Sequence, residues 1–306
     1  MYDFAIIGGG ISGLSSAMYA SRLGLSTIIF TKMPGGLITT TNMVENWPGI
    51  KQISGQDLAL SLIDHAKVSG SEIKNENVNK IFFKDKIFQI VTSSNTYEAK
   101  SVLFATGTEH RRLDVKGEKE FENKGVSFCA LCDGGFFKNK TVCVVGGGDS
   151  ASKEALFLSE HAQKVYIIVR RDILRAEPIN AERIKQNNKI EILYKSEIEE
   201  IFGENKVQKI RFKEGEGKYS GKDLEMDGIF LAIGHIAQTE LAKELGVQLN
   251  NKEEIIINRH AQTNVAGVFA AGDCTDTEFK QAITGSAEGV TAAYYAYHYV
   301  NENASF

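Results

Sequence analysis

The sequence predicts an α/β fold of two Rossmann-like, three-layer (ββα) domains, one inserted into the other, and three observations predict it. Two segments far apart each read strand, glycine turn, helix, strand. Two apolar strands ending in glycine, 101–107 and 227–234, look alike and would close the two sheets. A third strand-to-glycine segment, Gly267 to Asp273, lies far downstream and precedes a helix pattern from about Gln281 to Val300.

The first of these units runs Tyr2-Asp-Phe-Ala-Ile-Ile into Gly8-Gly-Gly10-Ile-Ser12-Gly13, continues as a small-residue helix through about Leu23, and ends in a strand from Ser26 to Phe30. The second runs Lys140-Thr-Val-Cys-Val-Val into Gly146-Gly-Gly148-Asp149-Ser150-Ala151, then a helix through about Ser159 and a strand from Lys164 to Val169. A lone glycine triplet says little; the flanking strand and helix make it a candidate nucleotide loop. In each loop the first glycine permits the tight turn, the second lets backbone approach a pyrophosphate, and the third position needs a small residue for close helix packing. The helix N-terminus then presents free N–H groups and a favourable dipole to the phosphates. The chain is expected to divide as 1–113, 114–240 and 241–306, the middle part inserted between the halves of the first domain, with crossings near 112–116 and 236–244.

Composition narrows the function. The 306 residues are 42% hydrophobic and 24% charged, enough to bury sizeable cores. A formal net charge of -4 offers no broad positive field for a phosphate backbone, so no nucleic-acid partner is expected. The N-terminal strand runs straight into glycines without the pattern of a signal peptide, and no stretch approaches the roughly 20 apolar residues of a membrane span. A cytoplasmic, membrane-free location is the expectation. Four cysteines in such a chain do not make a disulfide framework.

Spacing singles out Cys129-Ala-Leu-Cys132, followed by Asp133. Two intervening residues let both sulfurs approach on a helical turn, and such pairs commonly hold one thiol of lowered pKa. A reversible dithiol/disulfide couple is the functional reading; half a zinc site and two inert thiols are the alternatives, and no second Cys or His pair stands at zinc-finger spacing. Asp133 is a candidate proton carrier for thiolate release, or a turn aspartate. Arg170-Arg171-Asp172 and Arg175 follow the second strand of the second unit, where an NAD-specific loop would place an acid and where arginine accommodates a 2′-phosphate. NADPH is favoured there, against a solvated basic edge. The first unit's second strand ends Thr31-Lys32 with no acid, which leaves FAD plausible. The stretch Gly35-Gly36 through Asn46-Trp47-Pro48-Gly49 has the length and composition of a ligand wrap rather than a plain surface loop. Cys143 and Cys274 read as buried inert thiols, Glu214 to Lys218 as a hairpin tip, and the tyrosines of the last helix as packing residues.

Taken together, Gly8-Gly-Gly10-Ile-Ser-Gly13, Gly35-Gly36-Leu-Ile-Thr-Thr-Thr, Glu45-Asn46-Trp47-Pro48-Gly49, Cys129-Ala-Leu-Cys132-Asp133-Gly, Gly146-Gly-Gly148-Asp-Ser-Ala151, the arginine cluster and Gly272-Asp273 with Lys280-Gln281-Ala282 resemble the low-molecular-weight thioredoxin reductases over essentially the whole chain. The resemblance implies an FAD domain made of the chain's two ends, an inserted NADPH domain carrying the cysteines, and a homodimer. It implies Cys132 near the flavin, Cys129 exposed to the disulfide of a thioredoxin-like protein, Asp133 as acid/base, and no metal. For FAD it implies Gly8, Gly10, Ser12, Gly13, Gly35, Gly36, Leu37, Thr40, Asn46, Val78, Thr106, Gly107, Gly272, Asp273, Lys280, Gln281 and Ala282. For NADPH it implies Gly146, Gly148, Asp149, Ser150, Ala151, Arg170, Arg171, Arg175, Ile233 and Gly234. The same resemblance implies rotation of one domain against the other, about hinges at the crossings. Leu37 stands where many members have glutamine, and Val169 where many have histidine. Rivals are a ferredoxin–NADP reductase of the same build, which lacks the cysteine pair, a reductase of another disulfide or peroxiredoxin-type acceptor, which tends to lack the arginine cluster, and a nucleotide-binding redox sensor of little turnover.

Overall fold

The structure, a computed structural model, describes residues 1–41 and 43–302, and Cys132 by its backbone alone. Packing divides the chain into two compact units, residues 1–109 with 237–306, and residues 110–236.

The first unit opens with β1 (Tyr2–Ile7), α1 (Ile11–Arg22) and β2 (Thr27–Phe30). The two strands run parallel, Phe4 opposite Thr27 and Ile7 opposite Phe30. β2 is buried throughout, which is why it reads as a continuous apolar run rather than an alternation. α2 (Gly55–Val68) begins at Ser54, whose hydroxyl oxygen accepts the Asp57 N–H and satisfies one orphan donor of the first turn. β3 (Glu72–Lys74) pairs with β2, and β4 (Val78–Lys84), β5 (Ile87–Thr92) and β6 (Thr96–Phe104) form an antiparallel meander. β6 belongs to both arrangements: its beginning lies antiparallel to β5, and its end runs parallel beside β1, with Phe104 opposite Ile7. β7 (Thr108–His110) then leads the chain away.

The second unit repeats the plan. Its elements are β8 (Val126–Ser127), the single turn α3 (Ala130–Asp133), β9 (Thr141–Val145), α4 (Asp149–His161), β10 (Lys164–Val169), α5 (Pro178–Gln186) and β11 (Ile190–Tyr194). β12 (Ile198–Gly203), β13 (Val207–Phe212) and β14 (Asp223–Glu225) make a separate antiparallel sheet, with Glu214 to Lys218 in the β13–β14 connection. β15 (Gly228–Leu231) completes a parallel sheet of order β11-β10-β9-β15-β8. One apolar cluster, including Ile168, Ile201, Ile210 and Ile229, joins that sheet to the antiparallel one; a second, including Val144, Leu158, Val165 and Phe230, covers the face carrying α4. Three layers result, sheet, sheet and helix. β16 (His235–Ala237) pairs with β7, so the two crossing segments lie side by side. The units part inside these strands, at 109/110 and 236/237, rather than at 113/114 and 240/241: backbone pairing holds the crossing chain together up to that point.

On its return the chain forms α6 (Glu240–Glu244), β17 (Val268–Ala270) parallel to β6, and the long α7 (Ala282–Glu302) packed along α1. One core of the first unit therefore joins residues from both ends of the chain, Phe4, Leu14, Phe269 and Ala296 among them, with the Phe4 and Phe269 rings edge to face at 6.3 Å. Each such ring removed from water contributes about 1.5–3 kcal/mol. No helix among the described residues is long and apolar enough to cross a membrane.

Candidate nucleotide and disulfide sites

The first glycine loop is shaped by what a side chain would strike. Gly8 has φ +113°, and a Cβ there would lie 2.1 Å from the Ala105 carbonyl oxygen; at Gly13 it would lie 2.0 Å from the Gly8 oxygen. Those two glycines are demanded by the chain itself. Gly10, the N-cap of α1, differs: its Cβ would meet only the Gly36 Cα, at 3.9 Å, and no acidic side chain stands in the helix's first turn. A helix N-terminus with orphan N–H groups, open approach and no competing anion fits a pyrophosphate. Ser12 points elsewhere, its hydroxyl wedged where a Cβ of Gly272 (2.3 Å) or Gly285 (2.6 Å) would be.

Around this loop the structure gathers most of the residues expected on the flavin side. Gly35 donates its N–H to the Gly9 carbonyl at 2.8 Å, placing the Gly35-Gly36 pair, both at positive φ, directly against the loop. The turn Gly36–Thr40 that follows is 3₁₀, and Thr40 donates its hydroxyl to the Leu37 carbonyl at 2.8 Å. Asn46 Nδ2 donates to Gln281 Oε1 at 3.0 Å across 235 residues of sequence. Ala282 starts α7 and packs with Ile11, Val44, Leu58 and Trp47 in a small apolar cluster beneath. The Thr106 hydroxyl donates to the Gln238 carbonyl at 2.5 Å, and the Gly107 carbonyl accepts the Gln238 N–H at 3.0 Å, so this glycine turn, at φ +65°, is tied to the returning chain. Val78 is different: its side chain lies in the core with Ile7, Phe30 and Ile81, leaving only its backbone for a ligand.

Asp273 follows Gly272, which has φ +81°. Its half-buried carboxyl is pushed above the usual carboxylate range by burial, against the opposing pull of Lys280. Lys280 does not reach it with a hydrogen bond; the ammonium donates to the Asp273 and Thr275 carbonyls, both at 2.7 Å, and pairs with Glu254 at 2.8 Å. Lys280 thus braces the loop. The Asp273 carboxyl remains available to a ligand hydroxyl. Sequence reasoning missed Glu288, which accepts the Gly272 N–H at 2.7 Å; an acid flanked by Gly285 and Gly289 in a helix facing α1 was the available signal.

In the second unit, Gly146 (φ +155°) would place a Cβ 2.3 Å from the Ala232 carbonyl oxygen, and Gly148, the N-cap of α4, would place one in open space with nothing within 4 Å. Ala151, fully buried, occupies the third, small-residue position, and Ser150 is exposed beside it. Asp149 stands in the first turn, where an anion would oppose bound phosphate. Its carboxylate is turned to α5 instead, accepting from Glu177 N–H at 2.8 Å and Asn180 Nδ2 at 2.9 Å and pairing with Lys153 at 2.7 Å. Burial works against its charge, yet these partners outweigh it and hold the carboxyl below its ordinary value. Asp149 orients the loop rather than facing its mouth. Arg170, Arg171 and Arg175 are exposed just past β10, and Arg175 N–H donates to the Gly147 carbonyl at 2.8 Å, which sets this arginine beside the glycine turn. Gly234 (φ +99°) offers its carbonyl to Arg111 N–H at 2.8 Å, with Ile233 packed on the core next to it.

The redox candidate lies in the same unit. Cys129 is disulfide-bonded; the Cys132 side chain lies outside the described residues. Cys129 N–H donates to Ser127 Oγ at 3.0 Å and its carbonyl accepts Asp133 N–H at 3.2 Å, closing the turn α3 over the pair's spacing. Asp133 ends that turn, partly exposed. The next turn, Gly134–Phe137, rests on α4, where a Cβ at Gly134 would come 3.1 Å from Phe157 and Leu158. It leaves Phe136 77% exposed, an apolar ring on the surface directly after the cysteine motif. Cys143 and Cys274 are buried free thiols whose pKa is raised by burial, and such groups are inert.

Known proteins share the length and fold of this chain. The pyridine nucleotide-disulphide oxidoreductase family matches residues 2–289. A thioredoxin reductase of Spironucleus barkhanus is 42% identical over 303 residues, covering 97% of this chain and 98% of the relative. The thioredoxin reductase of Bacillus subtilis is 38% identical over 306 residues, covering 99% and 96%. Among solved structures, the thioredoxin reductase of Lactococcus lactis superposes with a TM-score of 0.95 at 36% identity, over 99% of this chain and 100% of that one. That of T. acidophilum gives 0.91 at 36% identity, over 97% and 98%.

Proposed function

Because the chain belongs to the pyridine nucleotide-disulphide oxidoreductase family and its relatives are thioredoxin reductases, we propose that it is an NADPH-dependent thioredoxin reductase with FAD at the first glycine loop. The observation that carries this is the disulfide-bonded Cys129 at the head of a helical turn, in the same unit as a second nucleotide loop. A nucleotide loop without a redox cysteine supports a simpler reductase; the combination supports dithiol exchange.

When bound, the nicotinamide supplies a hydride and the flavin relays its two electrons to the disulfide. The chain's own residues hold and time that chemistry. Gly8, Gly10 and Gly13 admit one pyrophosphate to the N-terminus of α1, and Asp273 accepts from a ligand hydroxyl. Asn46 and Gln281, bonded to one another, line the ring pocket. Gly146, Gly148 and Ala151 admit the second pyrophosphate, and Arg170, Arg171 and Arg175 meet the 2′-phosphate as planar cations suited to bidentate contact. In the reduced dithiol, the Cys129 thiolate attacks one sulfur of the partner's disulfide, and the other sulfur leaves as a thiolate that takes a proton from Asp133. Asp133, now ionised, takes the Cys132 proton; the Cys132 thiolate attacks the Cys129 sulfur of the mixed disulfide, and the second partner sulfur leaves as a thiolate that takes that proton from Asp133, restoring the Cys129–Cys132 disulfide. Phe136, exposed four residues beyond Cys132, supplies an apolar anchor for the partner protein. A homodimer, and turning of one unit against the other about the crossing strands, belong to the same proposal.

The test compares NADPH and NADH as donors to thioredoxin, with flavin reduction followed by absorbance. Bleaching of a bound flavin by NADPH in preference to NADH, and thioredoxin reduction that follows it, is the expected result. A purified chain that holds no flavin, or that reduces flavin but never thioredoxin, would sink the proposal in favour of a redox sensor or another acceptor.

A further inference from the structure

We propose that Glu288 is a positioning residue of the flavin site, fixing the Gly272–Asp273 turn so that the Asp273 carboxyl is presented to the ligand. This rests on the flavin reading above. Glycine is the residue least able to hold its own conformation, and Gly272 sits at φ +81° at the start of a loop running to Lys280. Glu288, one helical turn beyond the Gly285 that faces Ser12, reaches back to that loop with both oxygens. Oε2 accepts the Gly272 N–H at 2.7 Å, and Oε1 accepts the Thr277 hydroxyl in a close pair. The Gly272 carbonyl in turn accepts the Thr275 N–H at 2.9 Å and the Thr275 hydroxyl at 2.8 Å. On the far side Lys280 holds the Asp273 and Thr275 carbonyls.

The Gly272 N–H, the Asp273 and Thr275 carbonyls and the Thr277 hydroxyl are thus held by Glu288 and Lys280, while the Asp273 carboxyl accepts no hydrogen bond among the described residues. Glu288 makes two charge-assisted bonds, the stronger kind, and both act on backbone or side chains flanking Asp273 rather than on Asp273 itself. Its role is to aim a neighbour.

The experiment measures FAD release from the full-length holoprotein, read as the rise of free flavin fluorescence after dilution, for the wild type, E288A, E288Q, D273N and the E288A/D273N pair. E288A should speed release by about tenfold or more, the loss expected for one charge-assisted hydrogen bond. In E288Q the amide oxygen still accepts the Gly272 N–H, and its Nε2 can donate to a turned Thr277 hydroxyl. That variant should stay within about threefold of wild type, since a neutral acceptor costs only part of the bond. If Glu288 acts through Asp273, E288A should add little to D273N; a merely structural contribution would multiply with it. Wild-type release from E288A, or full multiplication in the pair, overturns the proposal. Should E288A fail to fold, T277V, which removes the other donor and keeps the carboxylate, takes its place in the same cycle. A wild-type chain that holds no FAD refutes the flavin reading itself, and unchanged release from D273N refutes the role of Asp273, each distinct from a failure confined to Glu288.

Discussion

Gly148→Ala separates the needs of the fold from those of the ligand. Gly148 has φ −107° and ψ −175°, extended backbone that alanine adopts freely, and a Cβ there would meet nothing within 4 Å. The substitution loses a tolerable N-cap, costing about 0.5–1 kcal/mol, and gains about 0.4–1 kcal/mol by restricting the unfolded chain; the two nearly cancel. The added methyl would stand where a pyrophosphate approaches the α4 N-terminus. Loss of one charge-assisted bond to it costs about 1.5–3 kcal/mol, or roughly 10- to 150-fold in Kd. Thermal unfolding and an NADPH titration on the same preparation read both quantities: unchanged Tm and much weaker nucleotide binding are expected. Gly146→Ala is the control, because φ +155° and a 2.3 Å approach to the Ala232 oxygen should destabilise the fold by about 2–5 kcal/mol before any ligand enters. A G148A protein with wild-type affinity for NADPH, or one that melts like G146A, would refute the reasoning.

Other consequences are equally direct. Cys129→Ser should retain bound flavin and its reduction by NADPH while thioredoxin turnover falls about a thousandfold or more; steady-state turnover beside single-turnover flavin absorbance checks both halves. Removing two of the exposed cations, Arg170→Ala with Arg175→Ala, should raise the KM for NADPH by about tenfold or more at little cost to NADH, and equal losses with both donors would count against a 2′-phosphate site. The His110 and His235 rings lie 4.8 Å apart, tilted by 42°, and desolvation lowers the pKa of both, with His235 adding to the effect on His110. A lowered histidine pKa means the unfolded chain takes up protons first, so stability present above about pH 6.5 is lost as the pH falls toward the folded pKa values. Chemical denaturation at pH 5 and 7.5 should show that loss, and H110Q/H235Q should flatten it.

Local pattern made the two strand–turn–helix units legible, because a continuous apolar run into glycines needs no distant partner to be understood. The meeting of Asn46 with Gln281 was legible only through resemblance, since 235 residues separate them and neither belongs to a periodic pattern. For two residues that the resemblance implies, the direction of the side chain was not legible in the sequence. Asp149 stands in the first turn of α4, as its position in sequence requires, but its carboxylate is held toward Asn180 and the Glu177 N–H. Val78 opens a strand whose pairing with β5 shifts register between Val78 and Lys80, and its own side chain faces inward. Glu288 was missed because an acid in a glycine-spaced helix looks like a solvated face until Gly272 is seen opposite it. The unit borders moved into β7 and β16 because pairing between the two crossings, a long-range property, decides where the chain stops belonging to one core.

The fit of Ser12 against Gly285 and Gly289, where a Cβ would come within 2.6 Å of its hydroxyl and 2.2 Å of its carbonyl oxygen respectively, dictates an order of events on the ribosome. α1 is synthesised early, yet the helix that covers it is made only after residues 110–236 have emerged. The inserted unit has all of its strands in one continuous stretch and is free to fold as soon as it is extruded. The unit around it waits, with Leu14, Ala17 and Ala20 uncovered, until α7 arrives. Nascent chains stalled before residue 282 should therefore display a protected interior within 110–236 and an open, protease-sensitive α1, and loading of the first glycine loop becomes a step that follows release of the C-terminal helix.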